Sequence, residues 1–389
     1  MTVTGCKLCR LWRQGRALAL WVGLLMLVLA LAGCAGDETA LVPTPTLTRT
    51  PRPTFTPVPP STVAPTITPT SPPPTLTPTP TPTLTPTRNP NVSPLTGLVA
   101  DPAKLNRRVL AIRVGNDPEA RPQEGLGAAD LVYEEIMDGW VLTRFTALYL
   151  ESDAERVRPL RSARLSNLVL APQYDAALVH TGASDPIRWL LSQATFVDLD
   201  QYFHAAPYGM LAGYDWRGRM YTSTEAVHAY LERIGKQQDH LIEGYEFDPT
   251  PPEGTPAPAI RIPYPRSSVV DWEYDAASGH YLRYVQGQPH VDALTNQQIV
   301  AENVIIFYTE HLKTDIVEDS LGSTAIDIVM EGSGRAVVCR DGVMIEAEWR
   351  RTAEDKPILY WDANGEVIPL RPGKTWIQLV PPDYEVVFE

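Results

Sequence analysis

The hydrophobic and polar positions divide this chain of 389 residues into stretches of different character. One uninterrupted apolar run, Ala17 to Ala32, lies near the start, and no further periodicity appears until residue 91. There Arg108-Val-Leu-Ala-Ile-Arg-Val114 alternates and predicts a strand, ended by the turn formers of 115–122. Leu131-Val-Tyr-Glu-Glu-Ile-Met137 and Val141 to Leu150 predict two more strands. Asp138-Gly139 joins them so closely that they must run antiparallel. Leu165, Leu168 and Val169 at helical spacing predict a helix over 162–170 with Ser162 as its N-cap. Asp175-Ala-Ala-Leu-Val-His180 reads as a short buried strand, and Asp185-Pro186 opens a second helix. Thr222-Ser-Thr-Glu225 is a capping box that opens a third over 226–234, closed by Gly235. Residues 91–249 therefore predict an α/β (mixed-sheet α+β) N-terminal domain. The Pro-rich stretch 250–258 reads as a linker. Beyond it the pattern becomes one of short strands: 269–274 with 280–285 as a hairpin, then 303–308, 325–330, 336–339, 343–349, 358–361 and 375–380. That spacing predicts a smaller, mostly-β C-terminal domain over 259–389.

The front of the chain sets its compartment. Lys7, Arg10, Arg13 and Arg16 precede the apolar run, and Leu31-Ala32-Gly33-Cys34 follows it. Residues 1–33 have the form of a lipoprotein signal peptide, cleaved before Cys34, whose thiol and new amino group would then carry acyl chains; an uncleaved membrane anchor is the alternative. Either way the rest of the chain is extracytoplasmic, and two or more acyl chains hold firmly where one is marginal. Residues 34–90 then contain a Pro/Thr-rich tract, as in Thr77-Pro-Thr-Pro-Thr-Pro-Thr83, which can build neither sheet nor helix. In polyproline II form it would make a stalk of about 150 Å, either a plain spacer or one bearing O-linked sugars. The formal charge is −13, and removing the leader's four basic residues lowers it to −17. Such a surface lacks the basic footprint of nucleic-acid binding, so any anion site must be local. Of four cysteines only Cys339 stays a free thiol in this scheme, inside the apolar run 336–339.

Several sequence blocks occur in a fixed order: Asn91-Val-Ser-Pro-Leu-Thr-Gly, Asn116-Asp-Pro-Glu-Ala-Arg-Pro, Ala129-Asp-Leu-Val-Tyr-Glu, Thr143-Arg-Phe, Arg158-Pro-Leu-Arg-Ser-Ala-Arg, Asn303-Val-Ile-Ile and Pro372-Gly-Lys-Thr-Trp-Ile377. As a set they resemble the YerB-like lipoproteins, a bacterial family of extracytoplasmic proteins of unknown function. The resemblance covers roughly 91–389. It implies an α/β N-terminal domain, a smaller β-rich C-terminal domain and a lipid anchor, which agrees with Cys34. It carries over no catalytic residue.

Arg158, Arg161 and Arg164 put three guanidinium groups into seven residues of an acidic chain, a density that demands anions. They are the candidate ligand-binding residues, as a clamp where a helix begins, with Arg144 and Asn116 beside them. Internal pairing with Glu134, Glu135, Asp117 or Asp130 is the alternative. Glu134 shares a strand face with Val132 and Ile136, so its charge needs a partner, Arg144 on the next strand or a substrate. His180 ends a strand, where open α/β sheets bind ligands. Glu134 and His180 are the catalytic candidates. No metal-ligand spacing survives in the mature chain, no cofactor is expected, and Gly373-Lys-Thr375 lacks the glycine of a phosphate-binding loop. Trp349, Trp361 and Trp376 are either core or a sugar platform. The resulting expectation is a lipid-anchored binding or interaction protein of the cell envelope with a local anion site. Its partner would be a wall glycan, another anionic ligand or an envelope protein. The alternative is an envelope-polymer hydrolase with Glu134 as acid or base.

Overall fold

The computed structural model of the protein describes residues 89–237 and 242–389. The leader, Cys34 and nearly all of the Pro/Thr tract lie outside them. Five strands come from the N-terminal half: β1 (Leu110–Gly115), β2 (Leu131–Ile136), β3 (Thr143–Tyr149), β4 (Ala177–His180) and β5 (Val197–Asp200). Helices α1 (Leu165–Leu170), α2 (Asp185–Ser192) and α3 (Thr224–Arg233) lie between and after them. The C-terminal half adds β6 (Asn303–Tyr308), β7 (His311–Val317), β8 (Thr324–Ile328), β9 (Ser333–Arg340), β10 (Val343–Arg350), β11 (Leu359–Trp361) and β12 (Thr375–Val380).

One sheet runs through both halves in the order β11-β10-β9-β6-β12-β2-β3-β1-β4-β5. Its seam is the parallel pair β2–β12, in register from Leu131 opposite Thr375 to Glu134 opposite Gln378. The seam strands read Leu-Val-Tyr-Glu-Glu-Ile and Thr-Trp-Ile-Gln-Leu-Val and are buried at every position, as strands covered on both faces are. On one face lies a second antiparallel sheet of the C-terminal half. It contains Ala259–Ile262, Val270–Asp275 and His280–Val285. Its Trp272 meets Trp376 edge-on at 5.4 Å, and the Tyr264 hydroxyl donates to the Leu379 carbonyl of β12 at 3.0 Å. On the other face Ser166 of α1 bonds Glu135 of β2, and the Tyr174 hydroxyl lies 2.7 Å from that of Tyr133.

Several details depart from the one-dimensional pattern. Helix α1 begins at Leu165, not Ser162, because Arg158 to Ala163 are held extended. Arg161 N donates to Arg113 O, Thr181 N to Arg161 O and Ala163 N to Gly182 O, so this backbone is used before a helix can form. The β2–β3 connection is a 3₁₀ turn at Asp138–Trp140 closed by Met137 N to Leu142 O, wider than a two-residue turn. Within 250–258, Thr255–Pro256 pairs with Val343–Met344 of β10. The helix at 222–225 opens one residue later than the Thr222–Glu225 box implies: Ser223 is the N-cap, accepting from Ala226 N, while the Thr222 hydroxyl donates to Pro207 O. The 270–275/280–285 hairpin forms as read. Trp349 and Trp376 are core residues. Trp349 stacks on Phe307 at 4.5 Å and donates to Tyr308 O, while Trp376 packs on Trp272 and Phe145.

Candidate anion site at the carboxyl edge of the sheet

Pairing directions align β6, β12, β2, β1, β4 and β5, so their carboxyl ends share one edge. Sheets of this kind bind ligands beyond that edge. Here it carries Asn116-Asp117 after β1, Asp138 after β2 and Thr181-Gly182 after β4, with β3 entering at Thr143-Arg144. The extended segment 158–164 crosses it, bonding the ends of β1 and β4 through its backbone.

The three arginines of that segment are each engaged by carboxylates. Arg158 bonds Glu124 at 2.8 Å and also donates to Gly218 O. Arg161 meets Asp117 through Nε at 2.9 Å and Nη2 at 2.7 Å. Arg164 meets Asp138 at 2.5 Å, and its Nη1 lies 3.4 Å from Glu318 Oε2. Arg161 and Arg164 point to the edge, whereas Arg158 turns away toward Gly218. Each of Arg158 and Arg161 carries an exposed aromatic ring of the 214–216 loop. The Tyr214 ring lies 4.2 Å from Arg158 and the Trp216 ring 5.0 Å from Arg161. Trp216 is 64 % exposed.

Arg144 differs from all of these. Its register partner is Glu135, but that carboxylate is spent on Arg113 at 2.6 Å, on the Thr146 hydroxyl and on Ser166. The Nε and Nη1 atoms of Arg144 are shielded from solvent and meet no acceptor. Burial, and then Arg164, Arg113 and Arg161 around it, push this guanidinium well below the ordinary arginine range. Arg144 is only partly shielded as a residue, but two of its guanidinium nitrogens are left buried without acceptors, which is costly for a charged group.

The remaining candidates fall elsewhere. Register places Glu135, Arg144 and Arg113 on one face of the sheet, and Glu134 with Phe145 on the other. The Glu134 partner is therefore Arg283, at 2.6 Å, and not Arg144. Around that ion pair a closed hydrogen-bond ring joins the two halves. Asn116 donates to Thr143, Thr143 to Glu134, and Arg283 to both Glu134 and His290. His290 is bonded to Gln123, which donates back to Asn116. The rings of Trp376, Trp272 and Phe145 surround Arg283 at 4.7, 5.6 and 5.5 Å. Glu134 is fully buried in this ring, and the Asn116 side-chain Oδ1 is further occupied by Arg121 Nε at 2.8 Å. His180 shares the face of Arg144, three strands from β2 and so roughly 14 Å across the sheet from it. Both its ring nitrogens are engaged, one with Gly182 O at 2.8 Å and one with Asp198 at 2.7 Å. Glu134 and His180 thus do not converge. Among the described residues no cluster of His, Cys, Asp and Glu could hold a metal ion, and no helix is long and apolar enough to cross a membrane.

Sequence reasoning did not reach Arg283, Arg113, Asp138, Glu318 or Trp216. Arg113 was legible as a charge in an alternating strand. The others become neighbours of the site only through pairings over long sequence separations.

A mixed sheet shared by an α/β half and a β half, with an arginine-lined carboxyl edge, defines a two-domain class. The family described as "Protein of unknown function (DUF3048) N-terminal domain" matches residues 95–240, and its C-terminal domain matches 260–377. The chain belongs to this family, that of the YerB-like proteins. "Putative lipoprotein YerB" of Bacillus subtilis (strain 168) is 29 % identical over 307 residues, spanning 74 % of this chain and 85 % of that protein. The crystal structure of the YerB protein from Bacillus subtilis superposes with a TM-score of 0.67 at 27 % identity. It covers 76 % of this chain and 99 % of that one.

Proposed function

We propose that this chain is a lipid-anchored extracytoplasmic protein of the cell envelope, held by Cys34, that binds an acidic group of an envelope glycan at the carboxyl edge of its sheet. Arg144 receives that group, Arg161 and Arg164 frame it, and Trp216, which lies on Arg161, offers a ring face to the sugar that bears it. The observation that carries this reading is the pair of buried Arg144 nitrogens, Nε and Nη1, without acceptors among three other arginines. An incoming anion would give those nitrogens acceptors while the Arg161–Asp117 and Arg164–Asp138 pairs stay in place. The relative's name and the lipoprotein form of residues 1–34 support the anchor. The enclosure of Glu134 and its separation from His180 weigh against the hydrolase alternative.

The test is calorimetric titration of the protein with D-glucuronate, N-acetylmuramate, inorganic phosphate and neutral D-glucose, with Arg144→Met and Arg161→Ala alongside. Binding of the acidic sugars that glucose does not show, and that both variants lose, is the expected result. Equal binding by wild type and Arg144→Met, or no binding of any probe, overturns it.

A further inference from the structure

The β7–β8 hairpin belongs to the C-terminal half and forms a two-stranded sheet of its own, yet β8 packs on α1 and on the 138–140 turn of the N-terminal half. His311 at its base lies against Trp140, with ring centroids 5.9 Å apart. At its far end the strand register breaks between Lys313 and Val317, and Glu318 N closes onto Ser323 O. This irregularity turns the Glu318 side chain inward, with no solvent exposure, against Arg164 and within electrostatic reach of Arg144 and Asp138.

Glu318 is poorly held there. Neither carboxylate oxygen makes a hydrogen bond of good geometry, and its polar neighbour besides the charged groups is the Ser184 hydroxyl, close to it but poorly aligned. Burial pushes its carboxyl above the ordinary range, partly offset by Arg164. The charges at the edge nevertheless balance through it. Arg113 has Glu135, Arg161 has Asp117 and Arg164 has Asp138, so Glu318 is the fourth carboxylate against the fourth guanidinium, Arg144. With Glu318 withdrawn, the cluster is short of one negative charge.

We propose that Glu318 is a built-in occupant of the anion site. The ligand group that replaces it is a singly charged carboxylate, and the hairpin must lift for that group to enter. This rests on the reading of Arg144 as a ligand contact. A carboxylate restores the neutrality that Glu318 supplied, whereas a dianionic phosphate would overshoot it. The hairpin is held to the N-terminal half by side-chain packing, with Ala325, Ile326 and Ile328 of β8 buried, and not by a sheet ladder, so lifting it uncovers that packing without breaking ladder hydrogen bonds.

The experiment is a titration with D-glucuronate and inorganic phosphate of the wild type, Glu318→Gln, and a Gly139→Cys/Ser323→Cys pair, using the full chain. A Cβ at Gly139 would lie 3.7 Å from Ser323 Cβ, inside the ~3.5–4.5 Å range of disulfides. The φ of +69° there adds strain to any side chain, which the Gly139→Cys single variant controls for, and oxidation of the pair locks the hairpin down. Glu318→Gln should bind glucuronate about tenfold tighter than wild type, because an internal competitor taxes apparent affinity by the fraction it occupies. The oxidised pair should not bind, and reduction should restore binding, with each single-cysteine variant unaffected by oxidant. Equal glucuronate affinity in wild type and Glu318→Gln, binding by the locked form, or preference for phosphate overturns this proposal while leaving the site itself intact. No binding by the wild type or by Glu318→Gln overturns the site and this proposal together.

Discussion

Replacing Arg144 with methionine should stabilise the ligand-free protein, an unusual sign for a buried residue. Two guanidinium donors are sealed from water without acceptors. Leaving a buried donor unsatisfied costs about 1–3 kcal/mol, and more for a charged group. Methionine keeps most of the apolar stem and its packing. Against the gain stands the loss of a countercharge near Glu318, which keeps Arg164 at 3.4 Å as its nearest cation. The net expectation is a gain of about 1–3 kcal/mol. At roughly 2–4 °C per kcal/mol this is a rise of several degrees in Tm. Arg113→Met is the matched control. Its Nη1 bonds Glu135 at 2.6 Å and the Thr146 hydroxyl at 2.7 Å, so the same change there strands a buried carboxylate and costs about 3–5 kcal/mol. Urea melts of wild type and the two variants would measure both. A loss of more than about 1 kcal/mol for Arg144→Met would refute the argument, since it would mean that Arg144 is structurally satisfied.

Other expectations follow from the same geometry. Glu134→Gln and Arg283→Met should each cost about 3–5 kcal/mol by denaturant titration, and the double variant less than their sum, because each single change strands a partner at 2.6 Å inside the ring that joins the halves; additive losses would show that the ring is not a unit. Trp216→Ala should change stability by no more than about 0.5 kcal/mol yet weaken sugar binding, whereas Trp376→Ala should cost about 3–5 kcal/mol, read by paired melts and titrations. His228 is lowered to about 4 by burial and then by Arg107, so unfolding takes up a proton between that value and ~6.5, and stability falls as pH falls through this window. Asp130, raised to about 7 by burial and then by Glu151, acts with the opposite sign over the whole of that range. The measured quantity is therefore the difference between wild type and His228→Gln, which should grow to about 3 kcal/mol in favour of the variant by pH 4; a difference independent of pH would sink the assignment.

The sequence by itself determined what depends on neighbours along the chain. Alternation and apolar runs located β1, β2, β3 and β6, since a strand's side-chain period is a local property. The hairpin across 275–279 formed as read, and a helix opens at the 222–225 signal with Ser223 and not Thr222 as its cap, because turn and cap chemistry closes within four or five residues. The ordered motifs were enough to mark the family. Tertiary structure alone decided where β12 goes: a strand from the end of the chain pairs with β2 and merges the two halves into one sheet. That insertion gives Glu134 a covering layer bearing Arg283, 149 residues away, and brings Glu318 to Arg164. The arginine cluster was visible in one dimension, but its partners were not. Which guanidinium lacks one depends on sheet register, and in these strands a shift of one residue exchanges the face of Glu134 for that of Glu135.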